Sequence, residues 1–344
     1  MSEALQRMIE TIMRIVRWIE CLFRRTRKTQ ICDIRFSLQN RYVSAPELET
    51  ALGKFNITNN AYTLSGSALC AGNNVTIDEF ISDTRRNGEP CNIREKLENY
   101  LDGHGIDNKT HHLVILDIEP GGQSVEGIKF HPQHLGNFPL SERDPIIEGY
   151  KRRISVARSV FQNAKLALYG VVVPHSKGKP DQFDPSIDGS KREGYERAGE
   201  LGMYDQLDYL VPVLYNNWGT SDVENRHGGH DLDKLHGWIE KSTRQAIEET
   251  QRLTRRNETS IPLAPFLGFW VGNPCSKHDT KAILPETVAL QFQIVQSYCS
   301  VSTIVFWSGP ETQEEMRAKP REVIDFHHFF SEVGELPPRG CADI

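Results

Sequence analysis

Two carboxylates stand one residue apart at Asp117-Ile118-Glu119, directly after the apolar run Leu113-Val114-Ile115-Leu116. A continuous apolar run of this length predicts a strand buried on both faces. Side chains alternate along a strand, so Asp117 and Glu119 are expected on the same side. Two acids at the end of a buried strand oppose each other's ionisation, which leaves one protonated beside one charged. Such a pair is suited to general acid/base work at a glycosidic bond. Pro120 and Gly121 then end the strand and open a loop.

The elements that must position this pair follow from the rest of the pattern. After residue 30, apolar runs alternate with helical periodicity, the signature of βα units. Residues 31–36 predict a first strand and 61–69 a second, and a third before residue 110 is hard to place. A helix over 93–101 precedes the strand at 113–119. Thereafter the order is regular. A helix from Ile147 to Phe161 leads to a strand at 166–173, and a helix at 191–203 leads to one at 207–215. A helix at 232–254 leads to a strand at 263–271, and a helix at 286–298 leads to one at 302–307. A final helix pair, broken at Pro320, ends near Phe330. Pro212 and Pro265 are expected near strand starts or bulges, because proline removes a ladder donor.

Five late strands and two or three early ones point to a (β/α)8 TIM-type barrel, distorted or incomplete in its first third. The chain has 344 residues, against ~250 for a minimal barrel of this kind. The expected organisation is an N-terminal amphipathic basic helix over 1–29, one barrel domain over 30–335, and a tail over 336–344. The loops at 120–144, 174–190 and 216–231 all follow strands, which would gather them at the C-terminal face of the barrel.

Composition excludes several classes. The chain is 38% hydrophobic and 25% charged, with a net charge of −6; that charge argues against non-specific nucleic-acid binding. No apolar stretch approaches the ~18 residues of a membrane-spanning helix. Residues 1–28 repeat Leu5, Met8, Ile9, Ile12, Ile15, Val16, Ile19, Leu22 and Phe23 at helical spacing and close on Arg24, Arg25, Arg27 and Lys28. Glu3 and Glu10 make this a poor secretory signal. It reads as a helix packed on the domain, with contact to a membrane surface or a partner protein, or an export or processing segment, as the other readings. The compartment is left open.

The seven cysteines (21, 32, 70, 91, 275, 299 and 341) contain no C-x-x-C, so a zinc or redox pair is not expected, and disulfides are allowed but not required. Asn56, Asn74, Asn108 and Asn257 each open an N-x-T triplet. The histidines come in pairs, including His131 with His134 and His227 with His230, and are expected as solvated loop residues. A metal-dependent hydrolase built on them is a weaker alternative, since neither H-E-x-x-H nor an acidic cluster accompanies them. The expectation is no metal and no cofactor. The sequence has no P-loop, dinucleotide fingerprint or G-x-S-x-G elbow.

Each late strand also carries an aromatic group at or near its end: Tyr169, then Tyr215 with Asn216, then Trp270, then Trp307. Aromatic faces stack on sugar rings, and phenol and amide groups bond hydroxyl or acetamido groups. The order D-x-E, Tyr-Gly, P-x-x-Tyr and a last strand ending in Trp resembles the hyaluronidases of glycoside hydrolase family 56. It is also similar to the family 18 chitinases, and the D-x-E strand is shared with family 25 lysozymes. The stretches "LVILDIEP", "LALYGVVVP", "LDYLVPVLYNN" and "STIVFWSGP" carry the resemblance.

That resemblance implies a glycosidase acting on an N-acetylhexosamine-containing glycan by a retaining, substrate-assisted route. Glu119 would be the general acid/base, and Asp117 would orient and stabilise the substrate acetamido group. Tyr169 and Tyr215 would hold that group, and Trp307 would floor the sugar. Asn216 and Trp270 complete the expected binding set. The flanks depart from both families. His112 and Ile115 stand where chitinases have further aspartates, and Pro120-Gly121 where hyaluronidases continue with acidic and aromatic residues. These departures keep open a non-catalytic carbohydrate-binding or scaffold protein on the same barrel.

Overall fold

Seven parallel strands form one sheet in the order β5-β4-β3-β2-β1-β7-β6. They are β1 (Asp33–Leu38), β2 (Thr58–Ser65), β3 (Leu113–Asp117), β4 (Lys165–Tyr169), β5 (Tyr209–Val211), β6 (Phe266–Gly268) and β7 (Thr303–Trp307). The structure is a computed structural model that describes residues 33–38, 58–72, 74–109, 113–121, 129–172, 189–214, 232–256, 261–268, 285–298, 300–307 and 331. The expected N-terminal helix, the final helix pair and the C-terminal tail lie outside the described residues.

The two ends of the sheet meet. Parallel bridges join Leu210 to Leu263 and Val213 to Phe266. The Leu214 amide donates to the Phe266 carbonyl at 2.9 Å, and the Phe266 amide donates to the Pro212 carbonyl at 3.0 Å. The sheet is therefore a closed parallel barrel. Among the described residues it has seven strands, the lower of the two counts expected from the sequence. Both prolines sit outside the regular ladder, next to β5 and β6 at this seam, where their missing N–H costs no bond.

Alternation within the strands sorts side chains into two cores. Ala61, Leu113, Ile115, Ala167, Val211, Ala264, Phe266 and Val305 cluster inside the barrel. Leu64, Val114, Leu116, Leu166, Leu168, Leu210, Ile304 and Phe306 face outwards into a larger core shared with the helices. β3 is buried along Leu113–Leu116, and exposure begins at Asp117, so the apolar run ends where the barrel opens.

The helices around the barrel are α1 (Ile77–Ser82), α2 (Ile93–His104), α3 (Leu140–Val160), α4 (Gly189–Glu200), α5 (Leu232–Arg256) and α6 (Pro285–Gln296). Their ends follow from local chemistry. Thr76 and Glu79 form a reciprocal capping box at the start of α1. Asn92 caps α2, which ends on Gly105 at φ 62°.

Several boundaries differ from the sequence expectation; β4, expected over 166–173, ends at Tyr169. Residues Gly66–Leu69 leave β2 as a 3-10 turn. Helix α3 starts at Leu140 and runs through Pro145, so the loop after β3 is shorter than the 120–144 expected.

The long β2–β3 connection is tied down twice. Cys70 and Cys91 form a disulfide. Behind it lies Arg153 of α3, fully buried. Its guanidinium donates to the carbonyls of Leu69, Cys70, Phe80 and Gly149 at 2.9–3.1 Å. It pairs with Asp83 at 3.0 Å and lies 3.7 Å from the Phe80 ring centroid. Burial lowers the Arg153 pKa to about 10, and the Asp83 charge opposes that fall.

Candidate active site

Asp117 is the last residue of β3 and shares the parity of the inward-facing Leu113 and Ile115. Its backbone pairs with Ser65 at the end of β2. On the other side, Leu116 pairs with Leu168, which brings Tyr169 level with Asp117 on the neighbouring strand. Tyr169 packs on the inner core, with its ring centroid 5.6 Å from that of Phe266. Asp117, Ser65 and Tyr169 therefore meet at the C-terminal rim of the barrel.

Gly66 makes this junction possible. A Cβ there would lie 2.6 Å from the Ala71 carbonyl oxygen and 3.0 Å from that of Asp117, closer than packing allows. The turn after β2 thus rests directly on the end of β3.

Glu119 follows two residues beyond Asp117. Its carboxyl is pushed up to about 8, first by burial and then by the neighbouring Asp117 charge, with Lys129 opposing. The side chain keeps 41% of its surface towards solvent. It is recessed but still reaches solvent. At neutral pH it holds a proton, as a general acid requires.

The segment beyond Glu119 returns beside it. Tyr150 of α3 is fully buried, and its hydroxyl lies 3.2 Å from the carbonyls of both Ile118 and Phe130. The one hydroxyl proton is shared between them, which fixes the backbone next to Glu119 and next to His131. Burial, with the Glu119 and Asp117 charges added, raises the Tyr150 pKa well above its ordinary value, so the phenol stays a donor.

His131 corrects the expectation of solvated loop histidines. It is 7% exposed, with Nδ1 3.6 Å from Glu119 Oε1. Its ring meets that of His134 edge-on at 5.6 Å. Burial, with the charges of His134 and Lys129, pushes its pKa down to about 3, so it is neutral across the working range.

Of the residues singled out from sequence, the structure brings Asp117, Glu119 and Tyr169 to one rim. Trp307 ends β7, its backbone paired with Ser37 and Gly268, and its side chain lies outside the described residues. Tyr215, Asn216 and Trp270 also lie outside the described residues. Sequence reasoning assigned no site role to Tyr150 or Ser65, and it considered His131 only among the loop histidines of the weaker metal-dependent alternative. Only His131 carried a signal, the Pro132 that follows it and opens a 3-10 turn over Pro132–Asn137. Among the described residues, no group of three or more His, Cys, Asp or Glu side chains could hold a metal ion. No helix of the described residues is long and apolar enough to cross a membrane.

No protein-family model matches the chain, and no curated protein is similar to it in sequence. Its fold is similar to that of bee venom hyaluronidase. One crystal structure of that enzyme superposes with a TM-score of 0.56 at 10% identity, covering 81% of this chain and 91% of the other. A second, in complex with a hyaluronic acid tetramer, gives 0.56 at 9% identity over 80% and 90%. At such identities the likeness is one of fold alone: the chain is an α/β barrel.

Proposed function

We propose that this chain is a glycoside hydrolase cleaving an N-acetylhexosamine-containing glycan by a retaining, substrate-assisted route. The observation that carries the reading is the pair at the barrel rim. Glu119 holds its proton up to about pH 8 beside Asp117, on the face where barrel enzymes place their chemistry. The hyaluronidase-like fold and the hyaluronic acid tetramer bound by that neighbour support a glycan as ligand.

In this reading Glu119 gives its proton to the leaving glycosidic oxygen. The substrate's own acetamido oxygen attacks the anomeric carbon from the other side. Asp117 orients that group and balances the positive charge that develops on it. Glu119, now a carboxylate, takes a proton from water, which opens the cyclic intermediate and restores the starting acid. No second enzymic nucleophile is needed, which suits two acids separated by a single residue. Tyr169 and Tyr215 hold the acetamido group, Trp307 floors the sugar ring, and Asn216 and Trp270 extend the binding surface.

The test is incubation of the purified chain and its Glu119→Gln variant with hyaluronan, chitin and peptidoglycan fragments, with products read as new reducing ends and by mass spectrometry. Loss of the general acid should lower turnover by about 10²–10⁴-fold. Equal turnover by the two proteins removes Glu119 from the mechanism. Calorimetric binding of a glycan with no turnover by either protein replaces this reading with a carbohydrate-binding protein on a glycosidase-like barrel.

A further inference from the structure

Resting on that reading of Glu119, we infer that His131 is a positioning residue whose Nδ1–H holds Glu119 Oε1 and so leaves the transferable proton on Oε2. Three observations carry this. Both His131 ring nitrogens are buried and have no hydrogen-bond partner among the described residues. The Glu119 carboxyl lies 3.6 Å from Nδ1, a few tenths of an ångström beyond bonding distance. Catalytic hydrogen bonds are often long in the free enzyme and close in the substrate complex. An imidazole left this way in a dry site costs free energy until it finds a partner, and Glu119 is the carboxylate placed to supply one.

The third observation is how firmly the backbone that carries the ring is held. His131 caps the 3-10 turn at Pro132–Asn137, and that turn is wedged against α4. A Cβ on Gly136 would lie 1.4 Å from the Ser190 carbonyl oxygen, and one on Gly194 would lie 2.4 Å from the Gly136 nitrogen. Neither glycine can be replaced without parting the two segments. Arg143 locks the far end of the turn. It donates to the Gly136 carbonyl at 3.1 Å and to the Phe138 carbonyl at 2.7 Å, and it pairs with Glu193 at 2.9 Å. From below, the Tyr150 hydroxyl bridges Ile118 and Phe130, the residues preceding Glu119 and His131. The pair is thus pinned from α3 and α4 at once.

The groups facing this pair are Asp117 from β3, Lys129 and His134 from the segment carrying His131, and Tyr150 from α3. Their balance keeps His131 neutral, so it donates a hydrogen bond without competing for the catalytic proton. When Glu119 gives its proton to the glycosidic oxygen, the negative charge forms on a carboxylate already bonded at Oε1. His131 keeps its own proton throughout. Hydrogen bonding to the charged form favours that form, so His131 also restrains the upward shift of Glu119.

The test does not require turnover. In the wild-type protein, the ¹⁵N resonances of the His131 ring should show the Nδ1–H tautomer. Its Nδ1 signal should move as Glu119 titrates near pH 8. In His131→Phe the Glu119 carboxyl, followed by ¹³C resonance, should titrate about one pH unit higher, and His131→Gln, which keeps an N–H donor, should restore most of the shift. An Nε2–H tautomer that ignores the Glu119 titration overturns the inference, as does an unchanged Glu119 titration in His131→Phe. The wild-type measurement stands even where the Phe variant does not fold. If the chain turns over glycans, His131→Phe should lower kcat about tenfold with KM little changed and raise the alkaline limb of the pH profile. If it has no glycosidase activity while the resonances behave as expected, the hydrolase reading fails and the coupling of His131 to Glu119 stands.

Discussion

Replacing Glu119 by Gln should stabilise the protein, and only at the pH values where the wild-type carboxyl is being forced to ionise. The folded carboxyl has its pKa raised from 4.5 to about 8. Between those values the folded chain keeps a proton that the unfolded chain has released, so wild-type stability falls as pH rises through this window. Below about 4.5 both states are protonated and the penalty is absent; above about 8 it is complete. In a fully dry site the shift would correspond to about 5 kcal/mol. The side chain keeps 41% of its surface in water, and screening there reduces the penalty to about 1–2 kcal/mol. Glutamine has the same shape and no charge to desolvate, so the variant should gain that amount over wild type above pH 8 and almost none of it below pH 4.5. Urea melts of both proteins at half-unit steps from pH 4 to 9.5 measure the difference. In thermal melts it should appear as a Tm gap of about 2 °C at the alkaline end. A gap that is constant with pH, or one that widens towards acid, would refute the assignment of the raised pKa to Glu119.

Three further outcomes follow from the same geometry. Glycan turnover should fall about tenfold per pH unit above about pH 8, as Glu119 loses the proton it must donate; a rate that stays flat to pH 10 would count against it as the acid. Tyr150→Phe should cost about 1–3 kcal/mol, because two buried carbonyls lose their shared donor, and urea melts at pH 7 would show it. Cys70→Ser with Cys91→Ser should cost about 3 kcal/mol, the entropy released by reopening a loop of 21 residues; melting of the oxidised and the doubly substituted protein side by side checks it.

The strand at 113–117 was legible because both of its faces are buried, which leaves an unbroken apolar run and makes the first polar residue conspicuous. The same signal misplaced the end of β2. Gly66-Ser67-Ala68-Leu69 continues a strand-like pattern, yet it turns, with Gly66 held against the Ala71 carbonyl and, some fifty positions away in sequence, the Asp117 carbonyl. The helical period marked Tyr150 as a core position. Nothing in that period says that its hydroxyl would find the Ile118 and Phe130 carbonyls. His131 read as a loop histidine because it lies between strands in a polar stretch. The turn that follows it packs on α4 through Gly136 and Gly194, and glycines in a loop do not announce which backbone they will touch. The pairing of Cys70 with Cys91 was likewise beyond reach, since seven widely spaced cysteines allow many partners. Sequence therefore shows best what a segment needs from its own period, and least what a distant segment imposes on it.

Tyr150 and Arg153 lie three residues apart on α3, within a single helical turn. One reaches the backbone beside the candidate acid, and the other reaches the backbone beside the disulfide. A single rigid body thus sets the datum for both connections that flank β3. A displacement of α3 along its axis would carry the acid and the disulfide-bonded loop together, as correlated rather than independent motions. In native-state hydrogen exchange the amides around Cys70 and those around Ile118 would then open as one cooperative unit with one free energy.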